Sequence, residues 1–76
     1  MTPEEIRKII GQNIVSLRRE YGISRKALAK LINVPVNRLK RVEEGDVHAK
    51  LYDFHIKRLS RVFGITADAI FEDSAP

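Results

Sequence analysis

The sequence predicts an all-α fold, a compact bundle of five short helices, and three observations predict it. Apolar residues recur three and four positions apart, as in Ile6, Ile10, Ile14, Leu17 and again in Ile56, Leu59, Phe63, which marks one face of a helix. Gly22, Asn33, Gly45 and Gly64 stand where successive apolar stripes end, and these residue types tolerate the left-handed backbone that stops a helix. No stretch alternates apolar and polar residues as a half-buried strand would. A chain of 76 residues buries only about 60–65% of its extended surface. Residues 1–76 are therefore read as one domain with one core, spanning about 6–72, and a tail at 73–76.

Each element has its own signals. Thr2-Pro3-Glu4-Glu5 starts the first helix, with Thr2 as cap, Pro3 at the first helical position and Glu5 closing a Thr-x-x-Glu box. Ile6, Ile10, Ile14, Leu17 and Tyr21 give its apolar face and Gly22 its stop, so it runs over about 3–20. Gly11 lies mid-helix, where it costs up to about 1 kcal/mol against Ala; close approach of another helix accounts for it. Ser24 is a plain N-cap for a second helix over 25–32, with Leu28, Leu31 and Ile32 facing inward. Asn33-Val34-Pro35 then breaks the chain, because a residue before proline leaves the helical region while proline suits a first helical turn. A third helix over 35–44 buries Leu39 and Val42 and stops at Gly45. Residues 46–50 form a loop. A fourth helix over 51–63 carries Tyr52, Ile56, Leu59 and Phe63 on one face, and Thr66 caps a short fifth helix with Asp68 in its first turn.

Residues 24–45 thus read as helix, tight turn, helix. On the third helix, Asn37, Lys40 and Arg41 share one stripe by i, i+3, i+4 geometry. Asn and Arg have the donors and acceptors to pair twice with adenine and guanine edges in a major groove, and Lys suits phosphate. A solvated face on an amphipathic helix has the same look, so the charge map matters. The net charge is +4, but residues 7–41 hold ten Lys or Arg against one acid, Glu20, whereas residues 42–76 hold four (Lys50, Lys57, Arg58, Arg61) against seven acids. That polarity points to a polyanion on one side of the molecule.

Other chemistries lack their parts. With no cysteine, disulfides, thiol catalysis and thiolate zinc sites are excluded, which fits a reducing cytoplasm. No apolar run approaches the roughly 20 residues of a membrane span. His48 and His55 are not at a zinc spacing, and His55 is expected at most partly buried. Asp46 beside His48 has no nucleophile near it. The glycines are isolated, so no phosphate-cradling loop exists. The sequence predicts no enzyme, no cofactor and no metal. Phe54 fits the fourth helix's apolar face least well, and with Phe71 it is a candidate exposed patch for dimerisation.

Gly11-x-x-Ile14-x-x-Leu17-Arg18, Gly22-Ile23-Ser24, Leu28-Ala29, Glu43-x-Gly45 and Leu59-Ser60-x-x-Phe63-Gly64-Ile65-x-x-Asp68-x-Ile70, in that order, resemble the lambda-repressor-like family (Cro/repressor-type, Xre-type helix-turn-helix proteins) over about residues 6–72. The resemblance implies a five-helix DNA-binding domain with its helix-turn-helix at the second and third helices. It implies a sequence-specific regulator of double-stranded DNA, a repressor acting as a homodimer. By position, Val36, Asn37 and Arg41 would read bases, Val36 where a polar residue is usual, so that it packs on a thymine methyl instead. Arg25 stands where Gln commonly meets a phosphate; Lys26, Arg38, Lys40 and Lys50 would also lie near phosphates. The resemblance pairs Arg18 with Glu43, an ion pair that would orient the third helix. Ser60 replaces the usual Ala, Asn33 the common Gly, and the loop after Gly45 is longer than in compact members. The alternative is a protein-interaction module, an antitoxin or adaptor, using the side formed by the fourth and fifth helices, whose acids suit a basic partner. RNA binding ranks third, since no exposed aromatic pair is expected.

Overall fold

The computed structural model describes residues 1–73, and among them are five helices: α1 (Pro3–Tyr21), α2 (Arg25–Ile32), α3 (Val36–Glu43), α4 (Asp53–Phe63) and α5 (Ala67–Phe71). The Thr2/Glu5 capping box forms, and Ser24 and Thr66 each accept a backbone N–H as N-caps. Gly22, Asn33 and Gly64 end their helices in the left-handed region. Two starts differ from the sequence expectation. Pro35 is the N-cap of α3 and not its first helical residue; its extended ψ of 140° makes it the hinge of the turn. Helix α4 begins at Asp53, after Leu51 and Tyr52.

The core is built from Ile10 and Ile14 of α1, Leu28, Ala29 and Ile32 of α2, Leu39 and Val42 of α3, Ile56, Leu59 and Phe63 of α4, Ile70 of α5, and Ala49 from the connection between α3 and α4. Helix α1 packs on α3 and α5, α2 on α3 and α4, and α4 on α5. Leu31, Tyr21 and Tyr52 are exposed, contrary to the inward faces drawn for them above. Leu31 is a surface residue because Leu28, Ala29 and Ile32 already fill the contact side of this two-turn helix. Tyr21 keeps part of its expected role, since its ring meets Phe63 edge-on at 5.3 Å and its hydroxyl donates to the Phe63 carbonyl. Tyr52 precedes the helix it was assigned to.

Four polar anchors were not foreseen. Asn13 is buried, and its Nδ2 donates to the carbonyls of Ile70 (2.7 Å) and Glu72 (2.8 Å). This satisfies carbonyls that a five-residue helix leaves open and ties Glu72, at the edge of the expected tail, back to α1. Beyond Asp73 the expected tail lies outside the described residues. Arg7 Nη1 donates to the Ala49 carbonyl at 2.7 Å, and Arg58 Nη1 to the Ile32 carbonyl at the end of α2 at 3.1 Å. The Ser60 hydroxyl, unusual at its position by the resemblance, donates to the Ile65 carbonyl across the α4–α5 turn.

Candidate nucleic-acid interface

Helix α3 has only eight residues, too few to hold its shape alone in water, so its direction is set by what it leans on. Leu39 and Val42 enter the core. Its C-terminal end rests on Gly11, where an added Cβ would stand 2.5 Å from the Val42 carbonyl oxygen and 2.6 Å from that of Glu43. Only a residue without a side chain permits that approach. The close contact expected at Gly11 is thus made, with α3 as the partner.

The Arg18–Glu43 pair forms. Arg18 Nε donates to Glu43 Oε2 at 2.7 Å and Nη2 to Oε1 at 2.9 Å, a bidentate fork, while Nη1 donates to the Ile23 carbonyl at 3.2 Å. The Glu43 side chain is 2% exposed and that of Arg18 13%. A second guanidinium joins them, Arg25 Nε donating to Glu43 Oε1 at 3.0 Å. Helices α1, α2 and α3 therefore meet on one carboxylate. Sequence reasoning assigned Arg25 to phosphate alone; its Nε is also part of this internal network, with the side chain 38% exposed.

The opposite side of α3 is open. Val36, Asn37, Lys40 and Arg41 are exposed and Arg38 is half-buried. The turn that presents them is made by Asn33, at φ 60°, with the Val34 N–H donating to the Ala29 carbonyl at 2.9 Å. Pro35 provides no side-chain cap, unlike the residues that start α1, α2 and α5. Lys26 on α2 and Lys50 before α4 are exposed.

Two further groups, weighed in the sequence only as catalytic or metal-binding candidates, have structural partners here. Asp46 accepts from Arg41 Nε at 2.8 Å through Oδ2, and from the His48 backbone N–H at 2.9 Å through Oδ1. These bonds, the backbone one first and then Arg41, hold its carboxyl below the usual carboxylate range. His55 is 2% exposed, more deeply buried than expected. Its Nδ1 accepts the Tyr52 N–H at 3.0 Å, helping to start α4 from the third helical position. Burial first, then the positive charges of Arg38 and Arg58, push its pKa below the ordinary histidine value. Phe54 and Phe71 are both exposed as expected; Phe54 stacks on the exposed Tyr52 at 5.7 Å with Arg58 over its ring, an exposed aromatic pair contrary to the sequence expectation of none. Among the described residues, no group of three or more His, Asp or Glu is placed to hold a metal ion, and no helix is long and apolar enough to cross a membrane.

Two short helices at a tight turn, the second braced from behind and bearing amide and cationic side chains in front, define a helix-turn-helix protein of the DNA-binding class. The comparison with known families agrees. A family model described as helix-turn-helix matches residues 14–70, and the chain belongs to that family, the Xre or lambda-repressor-like helix-turn-helix proteins, which are DNA-binding regulators. No curated protein matches the chain.

Proposed function

We propose that this chain is a sequence-specific regulator that inserts α3 into the major groove of double-stranded DNA and acts as a repressor by occupying its site. One observation carries the reading: α3 is fixed on its inner side by Leu39, Val42 and the buried Glu43 and presents Asn37, Lys40 and Arg41 outward. A rigid presenting helix is what base readout needs, since each good bidentate contact is worth only about 1–3 kcal/mol of discrimination and is lost if the side chain is misplaced. In this reading Asn37 and Arg41 read base edges and Val36 packs on a thymine methyl. Arg25, Lys26, Arg38, Lys40 and Lys50 lie near phosphates, Arg25 with the nitrogens not engaged by Glu43. The whole chain is one such unit, working in the cytoplasm as a homodimer on two half-sites about 34 Å apart.

Selection of bound duplexes from a random pool tests this directly. The expected result is an enriched motif in two related halves one helical turn apart, with affinity that falls steeply as salt rises. Recovery of unenriched DNA, or no binding at low salt, overturns it. The exposed Phe54 and Phe71 favour a second reading for the α4 and α5 side, as a surface for a protein partner of an antitoxin or adaptor. An adaptor without DNA affinity would be the outcome of that same low-salt measurement.

A further inference from the structure

We propose that Asp46 is a specificity-positioning residue: it holds Arg41 so that the guanidinium meets a guanine rather than a phosphate. The inference rests on the reading of α3 as the base-reading helix and deepens it.

An arginine on an exposed helix face has a long, flexible stem, and within reach of duplex DNA it can find sequence-neutral phosphate oxygens as readily as base edges. For Arg41 that freedom is narrowed. Its Nε donates to Asp46 Oδ2 at 2.8 Å, although its side chain is 50% exposed. Occupying Nε leaves the two terminal nitrogens as an end-on fork. Such a fork matches N7 and O6 of guanine, both acceptors, and is mismatched to adenine, which sets an N6 donor beside N7.

The carboxylate that does this is itself fixed. Its other oxygen accepts the His48 N–H at 2.9 Å. The Asp46 N–H donates to the carbonyl of Arg41 at 3.0 Å, and the Asp46 carbonyl accepts from Ala49 at 3.1 Å. Ala49 is buried in the core, and its carbonyl is held by Arg7 of α1 at 2.7 Å. Gly45, at φ 80°, brings this segment against the backbone of Lys8. Asp46 is thus bonded through its backbone and both side-chain oxygens. Its negative charge also neutralises Arg41 toward the phosphates, so the pair favours discrimination at the expense of general affinity.

The test compares the selected duplex, its single-base variants and a random-sequence duplex for the wild type, Asp46→Asn, Arg41→Ala and the double variant. Asn keeps an acceptor for the His48 N–H, and a melting curve verifies the fold; Asp46→Ser, which also retains an acceptor for that turn, repeats the measurement should Asn unfold the loop. The expected result is that Asp46→Asn lowers the guanine-over-adenine preference about tenfold at the one base pair that Arg41→Ala flattens, with random-duplex affinity equal or higher, and that it changes nothing further in the Arg41→Ala background. An Asp46→Asn that raises affinity for all duplexes alike, or leaves every preference intact while Arg41→Ala flattens one, overturns the positioning role and leaves the reading of α3 standing. An Arg41→Ala that alters no base preference overturns the Arg41 assignment itself, and this inference with it.

Discussion

Glu43 and Asp46 lie three residues apart at the end of α3, and each accepts from the Nε of an arginine at under 3 Å, yet their surroundings make them different devices. Glu43 is almost wholly buried, is shared by Arg18 and Arg25, and joins three helices. Asp46 and Arg41 are 32% and 50% exposed and join a helix to the loop that follows it. A desolvated, fully bonded pair cannot lose one member without stranding the other's charge, whereas an exposed pair exchanges with water and ions at little cost. The same chemistry therefore serves as scaffold in one place and as an adjustable contact in the other. The buried pair sets where α3 points; the exposed one lies beside the face proposed to read bases.

The sharpest way to break that contrast is to remove each carboxylate. Glu43→Ala is expected to destabilise the fold by about 3–5 kcal/mol, because the Arg18 guanidinium is left buried with no counter-charge. Against a total stability of about 5–15 kcal/mol for a domain, that is a large drop in melting temperature. Asp46→Ala is expected to leave the melting temperature almost unchanged, because exposed pairs contribute little. Equal melting shifts for the two would show that burial does not separate them.

Gly11→Ala approaches the same brace from α1. A methyl group there would overlap the carbonyl oxygens of Val42 and Glu43, so α3 must shift. The expected cost is about 1–3 kcal/mol by overpacking, despite the better helix propensity of Ala. Denaturant titration measures it. A neutral or stabilising Ala would mean that α3 does not need this close approach.

At the exposed pair the expected effect is on binding and not on stability. Arg41→Ala should cost about 1–3 kcal/mol on the preferred duplex and relax one base pair, with an unchanged melting temperature. Arg25→Ala should weaken all sequences alike and, since Arg25 also supports Glu43, lower the melting temperature slightly. Identical behaviour of the two variants on specific and random DNA would remove the distinction between reading and anchoring.

How much of this was legible beforehand follows from the range of the interactions. Caps and stops are local, and Thr2, Glu5, Ser24, Gly22 and Gly64 act within a few residues of themselves, so the helices could be placed from their own punctuation. The outward Asn37, Lys40 and Arg41 followed from the 3.6-residue period once Leu39 and Val42 were taken as inward, and Val36 from the family resemblance. Long-range polar contacts left no periodic trace. Nothing in the chain near Arg7, Asn13 or Arg58 announces the carbonyls they bind, 42, 57 and 26 positions away. Four of the residues counted into the cationic half, Arg7, Arg18, Arg25 and Arg41, bond to the protein itself, so the charge map overstated what is free for a polyanion. Leu31 and Tyr52 were misplaced because short apolar stripes at element ends fit the period by chance as well as by packing. The Arg18–Glu43 pair was reached through family resemblance, since a separation of 25 residues carries no spacing rule.

Mild acid gives the smallest and most selective test, because it should leave the Asp46–Arg41 pair ionised while reaching His55. Hydrogen bonds already hold Asp46 below the usual carboxylate range, so its bond to Arg41 persists until the pH falls well under about 3.8. For His55 the folded pKa likewise lies below the unfolded value of 6.5, so the folded state resists the proton that the unfolded chain accepts. Its stability contribution is therefore complete above about pH 6.5 and declines as pH falls from there toward the folded pKa, by at most about 1.4 kcal/mol per pH unit. Protonation at Nδ1 also removes the acceptor for the Tyr52 N–H, so the start of α4 should loosen first. Denaturant titrations at pH 7.5 and 5.5 should show this decline in the wild type and a flatter response in His55→Gln, while the Arg41–Asp46 contact, followed by the Arg41 Nε–H resonance, stays constant. If the His55→Gln protein loses as much stability as the wild type over that interval, the acid response belongs to another group and the burial of His55 does not control it.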